Sequence, residues 1–381
     1  MFTQGGKTLN QIVEHGKTLL VVGPAAVSVI SGKAEVLGFQ VNDKHRVVIR
    51  EGKQLPFFIK EKSVFDISLG ENATVEEVDG NTIPASWADA VEVLRGFQKR
   101  PTVAMVIGKV DSGKTSFCTY IINNLVSAKQ RVAILDGDLG QSDVGPPCTV
   151  AYACVTKPLI ELYELKAENA FFVGVTSPSE AVDKMIEGLA LMKSEIMSKT
   201  VDFVVINTDG WIEGDDAVQY KTRLVEKLEP DIIFHIQQKN ESSQLLETID
   251  FKKIVVDSSS AVKQRSPEKR RFLREMSYTK YFTGAKVRSL LLSQLKLEEK
   301  EFWQIKQATE RGLLVGLYGP NRKFLGIGIL QEIDPKRKTL KVLTSVSAAP
   351  SIVAFGKIRL NENFKEAHVS ASNAEADKIK V

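Results

Sequence analysis

Residues 108–115 read Gly-Lys-Val-Asp-Ser-Gly-Lys-Thr and fit G-x-x-x-x-G-K-[ST], the phosphate-binding loop. No other segment restricts the fold so tightly. The two glycines, Gly108 and Gly113, permit a backbone path that turns the N–H groups of Lys109, Val110, Asp111, Ser112 and their neighbours inward onto an anion. Lys114 then reaches the phosphates as a point charge, the Thr115 hydroxyl can ligate Mg²⁺, and Ser116 closes the cradle. The flanks fit. Val103–Ile107 is a short apolar run suited to a buried strand, and residues from Lys114 to about Ala128 carry apolar positions at helical spacing. Strand, glycine loop and helix is the order the mechanism needs, because the helix N-terminus adds its dipole to the anion site.

The chain has 381 residues, more than one ordinary core can organise, so two or three domains are expected. A hydrophobic content of 43% and a charged content of 26% fit a globular protein in water. A net charge of +4 permits a nucleic-acid partner without arguing for one. Cys118, Cys148 and Cys154 include no C-x-x-C pair, and the N-terminus lacks the apolar centre of a signal peptide, which suggests a reducing, cytoplasmic setting. No apolar run is long enough to span a membrane, and the four histidines form no short-spaced cluster for zinc.

The chain divides into parts. Residues 1–100 form an N-terminal β domain and a linking helix. Thr18–Val22, Val27–Ile30, Glu35–Leu37, Arg46–Ile49 and Phe57–Ile59 are short strand candidates separated by turn signals, and they suggest a β-sandwich. Pro84 to Arg100 reads as a helix. Residues 101–284 alternate strands and helices. Val103–Ile107, Val132–Leu135, Ala170–Val175, Phe203–Ile206, Ile232–Ile236 and Ile254–Val256 read as strands, and Glu180–Lys199 and Asp215–Lys227 as helices. The expectation is α/β: a parallel sheet with helices on both faces and ligands beyond the C-terminal strand ends. Residues 285–364 return to short strands at Leu313–Leu317, Leu325–Leu330, Thr339–Leu343 and Ile352–Phe355, which suggests a small β-barrel. The tail, residues 365–381, is rich in Ala, Ser and charge and reads as disordered.

Three further segments carry chemistry. Asp136-Gly137-Asp138-Leu139-Gly140-Gln141 follows a predicted strand. Asp136 and Asp138 are two apart, so in extended backbone they share a side. Carboxylates there suit metal binding through water and removal of a proton from an attacking hydroxyl, although aspartates beside glycine also simply make turns. Thr208-Asp209-Gly210-Trp211 ends another strand. Trp211 can stack on a nucleobase or pack into the core, and Asp209 is a rival for the metal-water position. In Arg265-Ser266-Pro267 and the residues to Arg274, Ser266 is a good N-cap and Pro267 a good first helical residue. Arg270 and Arg274 stand one turn apart, either as a lid over phosphates or as a solvated face on which Arg271 pairs with Glu275.

Taken together, these segments resemble the polynucleotide 5′-hydroxyl kinases, the family that includes the kinase subunit of the pre-mRNA cleavage factor, ribosomal-RNA-processing kinases and archaeal relatives. The phosphate loop, D-x-D-x-G-Q at Asp136–Gln141, T-x-G-W at Thr208–Trp211 and the arginine segment carry the resemblance, which extends over roughly residues 15–362 and is closest in character to an archaeal member. The resemblance implies ATP and Mg²⁺ as cofactors, RNA or DNA with a 5′-hydroxyl end as substrate, and RNA-processing proteins as partners. It implies that Lys114 holds phosphates, that Thr115 and Asp136 serve the metal, that Asp138 is the base, and that Arg270 and Arg274 form the lid. Gln141, Thr176, Trp211 and Arg265 fall on the substrate side. The acid at Asp209 departs from the family's motif and leaves the division of roles among the three aspartates open. The alternatives are a regulatory GTPase, for which Gln237-Gln238-Lys239-Asn240-Glu241 lacks the guanine-reading Asn-Lys-x-Asp pattern, and a nucleotide-bound scaffold subunit.

Overall fold

A computed structural model describes residues 7–43, 45–238, 244–298, 311–334 and 336–367. Among these residues there are three sheets and six α-helices: α1 (Ala85–Gly96), α2 (Lys114–Ser127), α3 (Val182–Met197), α4 (Asp215–Leu228), α5 (Gln244–Thr248) and α6 (Pro267–Tyr281). No helix among them is long and apolar enough to cross a membrane.

The N-terminal sheet has seven antiparallel strands. Two of them, Ala25–Val36 and Gln54–Leu69, are long, and their pairing shifts register between Val29 and Ala34. Such irregularities let a long strand bend, so the separate short runs Val27–Ile30 and Glu35–Leu37 belong to one strand, except for Leu37, which opens the following turn. The strands Lys7–Val13 and Thr74–Asp79 were not legible as strands, because most of their side chains stay wet. The chain then enters α1, where Trp87 is wholly buried against Phe117 and Tyr120 of α2, with ring centroids 5.2 and 5.6 Å away. Its indole N–H donates to the Asp257 carbonyl at 2.8 Å.

The central sheet has the order Asn169–Phe172, Thr149–Val155, Val132–Gly137, Phe203–Thr208, Thr102–Gly108, Ile232–Gln237, Lys253–Asp257. The last five strands are parallel. Their residues alternate between two cores. In the strand Thr102–Gly108, Ala104 and Val106 join Phe117 and Ile121 of α2, while Met105 and Ile107 join Leu189 of α3 and Leu224 of α4. Helices therefore cover both faces, and the loops at the C-terminal strand ends share one edge. The first two strands run antiparallel to their neighbours. The chain between Gly137 and Thr149 contains no helix to make a parallel crossover.

The C-terminal sheet runs Lys286–Leu291, Thr339–Thr344, Phe324–Asp334, Leu313–Tyr318, Ile352–Arg359, Lys296–Glu298. It docks on the antiparallel edge of the central sheet. The Phe172 N–H donates to the Tyr318 hydroxyl at 2.7 Å, and the Lys357 N–H to the Gly174 carbonyl at 2.8 Å. The start of the tail is ordered rather than free. Lys365–Ala367 is described, Glu366 bridges to Leu360, and its carboxylate accepts from Arg274 Nε and Nη2 at 2.7 and 2.8 Å. That two-point ion pair holds the segment against α6. Residues 368–381 lie outside the described residues.

Candidate active site

The phosphate-binding loop joins the strand Thr102–Gly108 to α2. Gly113 takes φ +96° at the N-cap, a conformation glycine adopts without strain. Lys114 is buried, and its ammonium donates to the Lys109 carbonyl at 2.7 Å, so it curls over the loop's own backbone. Burial pulls its pKa down, and Asp138 and Asp209 pull it back up against Lys221. The Ser112 hydroxyl is buried with no protein partner. An orphaned donor inside a cradle of N–H groups fits a phosphate oxygen. Lys109 turns outward to Glu213 at 2.9 Å, while Gly108 is enclosed by the sheet.

Asp136 and Asp138 do not act as a matched pair. Asp136 is fully enclosed. Its Oδ1 accepts from Asn207 Nδ2 at 3.0 Å and the Asp138 N–H at 3.3 Å, and its Oδ2 accepts the N–H groups of Asp143 and Val144 at 2.9 and 3.2 Å. Burial pushes its pKa up to about 6, with Asp143 and Asp138 adding to the shift. Asn207 also stands 3.5 Å from the Thr115 hydroxyl, so the buried acid reaches the loop's threonine through an amide. Asp138 is at the cleft wall. Its Oδ1 accepts the N–H groups of Gly140 and Gln141 at 3.1 and 3.0 Å. Burial raises its pKa, Lys114 opposes that, and Asp209 adds to it.

Asp143 is a cleft-lining residue that the sequence alone did not single out. It accepts from Lys53 at 3.0 Å and Arg50 at 3.1 Å, and so ties the N-terminal domain to the loop that wraps Asp136. Burial pushes its pKa up, but the two cations more than reverse this and hold it below the usual carboxylate value.

Trp211 is half-buried: it packs on a neighbouring ring and also borders the cleft. One face stacks on Tyr220, with centroids 5.5 Å apart and planes at 21°, and the residue also lines the cleft. Asp209 is enclosed and already engaged by Tyr220 and Lys221.

Helix α6 lies over the loop. Ser266 caps it by accepting the Lys269 N–H at 3.2 Å. Arg265 and Arg270 converge on the loop's own Asp111, at 3.3 and 3.1 Å, and the Arg265 N–H reaches it at 2.9 Å. Gln141 Nε2 donates to the Arg270 carbonyl at 3.0 Å, linking the turn after Asp138 to the same helix. Arg274 lines the cleft but pairs with Glu366, and Arg271 pairs with Glu275 at 3.1 Å.

These groups share one cleft of about 560 Å³. Lys114, Thr115, Asp138, Gln141, Thr176, Trp211, Arg265, Arg270 and Arg274 all line it, whereas Asp136 stands behind its wall. Its lining also includes the apolar Val22, Leu55, Ile83 and Trp87, and Gln54, whose Oε1 is buried without a partner. A phosphate cradle together with apolar lining and a lone acceptor suits a nucleotide.

Comparison with known proteins agrees with this geometry. The family model for the mRNA cleavage and polyadenylation factor CLP1 P-loop matches residues 108–284. A polyribonucleotide 5′-hydroxyl-kinase of Pyrococcus furiosus is 31% identical, over 70% of this chain and 90% of that protein. One from Methanocaldococcus jannaschii is 27% identical, over 74% of this chain and 94% of that protein. The solved structure of Clp1p in its complex with Pcf11p superposes with a TM-score of 0.73 at 14% identity, covering 93% of this chain and 98% of that one, and so shares the fold. With the nucleotide cleft built on the matched segment and the likeness running nearly the length of its relatives, the chain belongs to the CLP1 P-loop family of polyribonucleotide 5′-hydroxyl-kinases.

Proposed function

We propose that the protein transfers the γ-phosphoryl group of ATP to the 5′-hydroxyl end of RNA, within RNA processing. One observation carries this reading: Lys114, Asp138 and Trp211 open on a single cleft beneath an arginine-bearing helix. A phosphate-gripping lysine, an acid and an exposed aromatic face serve a donor phosphate, an acceptor hydroxyl and a base respectively.

The division of labour follows from the chain's own groups. The phosphate loop and Lys114 hold the β- and γ-phosphates, and the apolar lining, with Gln54, receives the base. Asp138 accepts the proton of the attacking hydroxyl; its raised pKa brings its basicity closer to neutral pH. Thr115, with Asn207 and Asp136 behind it, would hold Mg²⁺, which would supply charge neutralisation at the phosphates. Arg270, now on Asp111, and Arg274, now on Glu366, both line the cleft and would exchange those carboxylates for phosphate oxygens. Gln141, Thr176 and Arg265 line the path of the nucleic acid. Little covalent chemistry is asked of the protein, so positioning and charge neutralisation supply most of the rate.

The test is transfer of label from γ-labelled ATP, with Mg²⁺, to short RNA and DNA oligonucleotides that differ only in their 5′ ends. Label should enter 5′-hydroxyl RNA and not its 5′-phosphorylated twin. Label in neither, under conditions where the protein binds ATP, refutes the reading and favours the scaffold role.

A further inference from the structure

The turn that carries Trp211 is gripped from two sides. On one side Gly210 lies against the phosphate loop so closely that an added Cβ would stand 2.6 Å from the Val110 backbone nitrogen. On the other, Asp209 is tied to α4. Its Oδ1 accepts the Trp211 N–H at 2.9 Å, and its Oδ2 accepts the Tyr220 hydroxyl at 2.9 Å and Lys221 Nζ at 2.7 Å. Lys221 also donates to the Asp209 carbonyl at 3.2 Å, so a single ammonium holds both the side chain and the backbone of the turn. The side chains of Lys221 and Asp209 are only 0% and 5% exposed. The ring of Tyr220, whose hydroxyl is fixed by the same carboxylate, is the ring on which Trp211 stacks.

Burial of an ion pair is a poor way to gain stability, since two well-packed apolar side chains do as well or better. What the pair supplies here is geometry. Its bonds set the turn, and the turn sets the indole relative to the loop that holds the phosphates.

We infer that the buried Asp209–Lys221 pair is a positioning device for the nucleic-acid end, holding the Trp211 platform at a fixed place relative to the phosphate loop. This deepens the kinase reading and rests on it. A base stacked on an indole so held brings its 5′-hydroxyl to the same point beside Asp138 at each encounter. Asp209 is then a positioning residue, with its charge matched by Lys221 and its oxygens already taking three donors. The role of proton acceptor falls to Asp138.

Charge-balanced replacement tests the inference. Lys221→Met leaves a buried carboxylate unpaired, and the turn must shift to solvate it. Binding of a fluorescent 5′-hydroxyl RNA, read by anisotropy without nucleotide, should weaken by roughly tenfold. The RNA KM should rise in step and kcat should fall, while the ATP KM stays within about twofold. Asp209→Asn combined with Lys221→Met removes both charges and keeps an acceptor for the Trp211 N–H. It should return RNA affinity to within about threefold of wild type. Tyr220→Phe keeps the ion pair and the stacked ring but loses one bond, and should weaken RNA binding by about two- to threefold. This milder variant decides the matter if Lys221→Met does not fold, as judged by circular dichroism. Unchanged RNA binding in Lys221→Met, a double variant no better than the single, or ATP KM rising as much as RNA KM would each overturn the inference. A wild-type protein that transfers no phosphoryl group overturns the kinase reading instead, and the anisotropy series still tests the pair.

Discussion

Replacing Trp211 with alanine separates two contributions that the structure assigns to one side chain. The indole is half-buried, with Tyr220 at 5.5 Å on one face, and it lines the cleft. Losing the aromatic pair should lower stability by about 0.5–1.5 kcal/mol, beyond the loss of buried area. In a domain of this size that is a fall in melting temperature of roughly 1–6 °C. Losing the platform for a base should cost on the order of 1–3 kcal/mol of RNA binding, an increase in Kd of about 5- to 150-fold. Trp211→Phe keeps a smaller ring on Tyr220 and should fall between. The assay is one thermal melt and one RNA titration per variant, with ATP affinity as the control. The reasoning predicts that both quantities move while ATP affinity does not. A lowered melting temperature with unaltered RNA affinity would refute it, leaving Trp211 a packing residue that happens to border the cleft.

Asp138→Asn should lose turnover by a hundredfold or more, on the order expected for removing a general base, with little change in ATP affinity; if Asp209→Asn proves the more damaging to kcat, the acids are wrongly assigned. Arg270→Ala and Arg274→Ala should each lower kcat more than they raise either KM, with only partial rescue by lysine, which lacks the planar two-point contact. Arg274→Ala should also lower the melting temperature by a few degrees because Glu366, with a side chain only 14% exposed, loses its two-point partner and keeps only Arg271 at 3.9 Å; wild-type kinetics in both variants would remove the lid from the mechanism. If Asp136 serves the metal side as proposed, its raised pKa, about 6 against 3.8 for the free side chain, should give kcat/KM for ATP an acidic limb near pH 6, because that role needs the ionised form. On stability the sign is opposite. The protonated form suits the enclosed site, so this group's stabilising contribution is full below about pH 4 and lost as pH rises through about 6, and Asp136→Asn should flatten both trends. A rate profile and a melting series across that range check the two signs.

The parts of the site legible in the sequence were those in which a short segment does one job. The phosphate loop, Asp136–Gln141, the turn before Trp211 and the Ser266-Pro267 helix start each declare themselves within a few residues. What stayed hidden joins distant segments. Arg270 meets Asp111 across 159 positions and Arg50 meets Asp143 across 93. No periodicity marks such pairs, since each charge looks like an ordinary solvated one. Lys221 is the clearest case. It sits among the charged positions of an amphipathic helix, yet it is wholly enclosed because Asp209 meets it from the preceding strand end. The fold shows the same division. The central strands, buried on both faces, were readable as apolar runs. Lys7–Val13 and Lys286–Leu291 form ladders with mostly wet side chains, and their hydrophobic signal is correspondingly weak. The apolar strand Thr149–Val155 was missed for a different reason: it runs antiparallel without a helix before it, and so breaks the alternation that revealed its neighbours.

The central claim is most directly tested by locating the transferred phosphate. The protein and its Lys114→Ala variant are incubated with γ-labelled ATP, Mg²⁺ and a 5′-hydroxyl RNA, and the product is digested to nucleotides. The account predicts label on the 5′-terminal nucleotide alone with wild type, and none with the variant, whose melting temperature stays near that of wild type because the lysine's bond is to its own loop. Equal labelling by the variant, or label anywhere but the 5′ end, would contradict it.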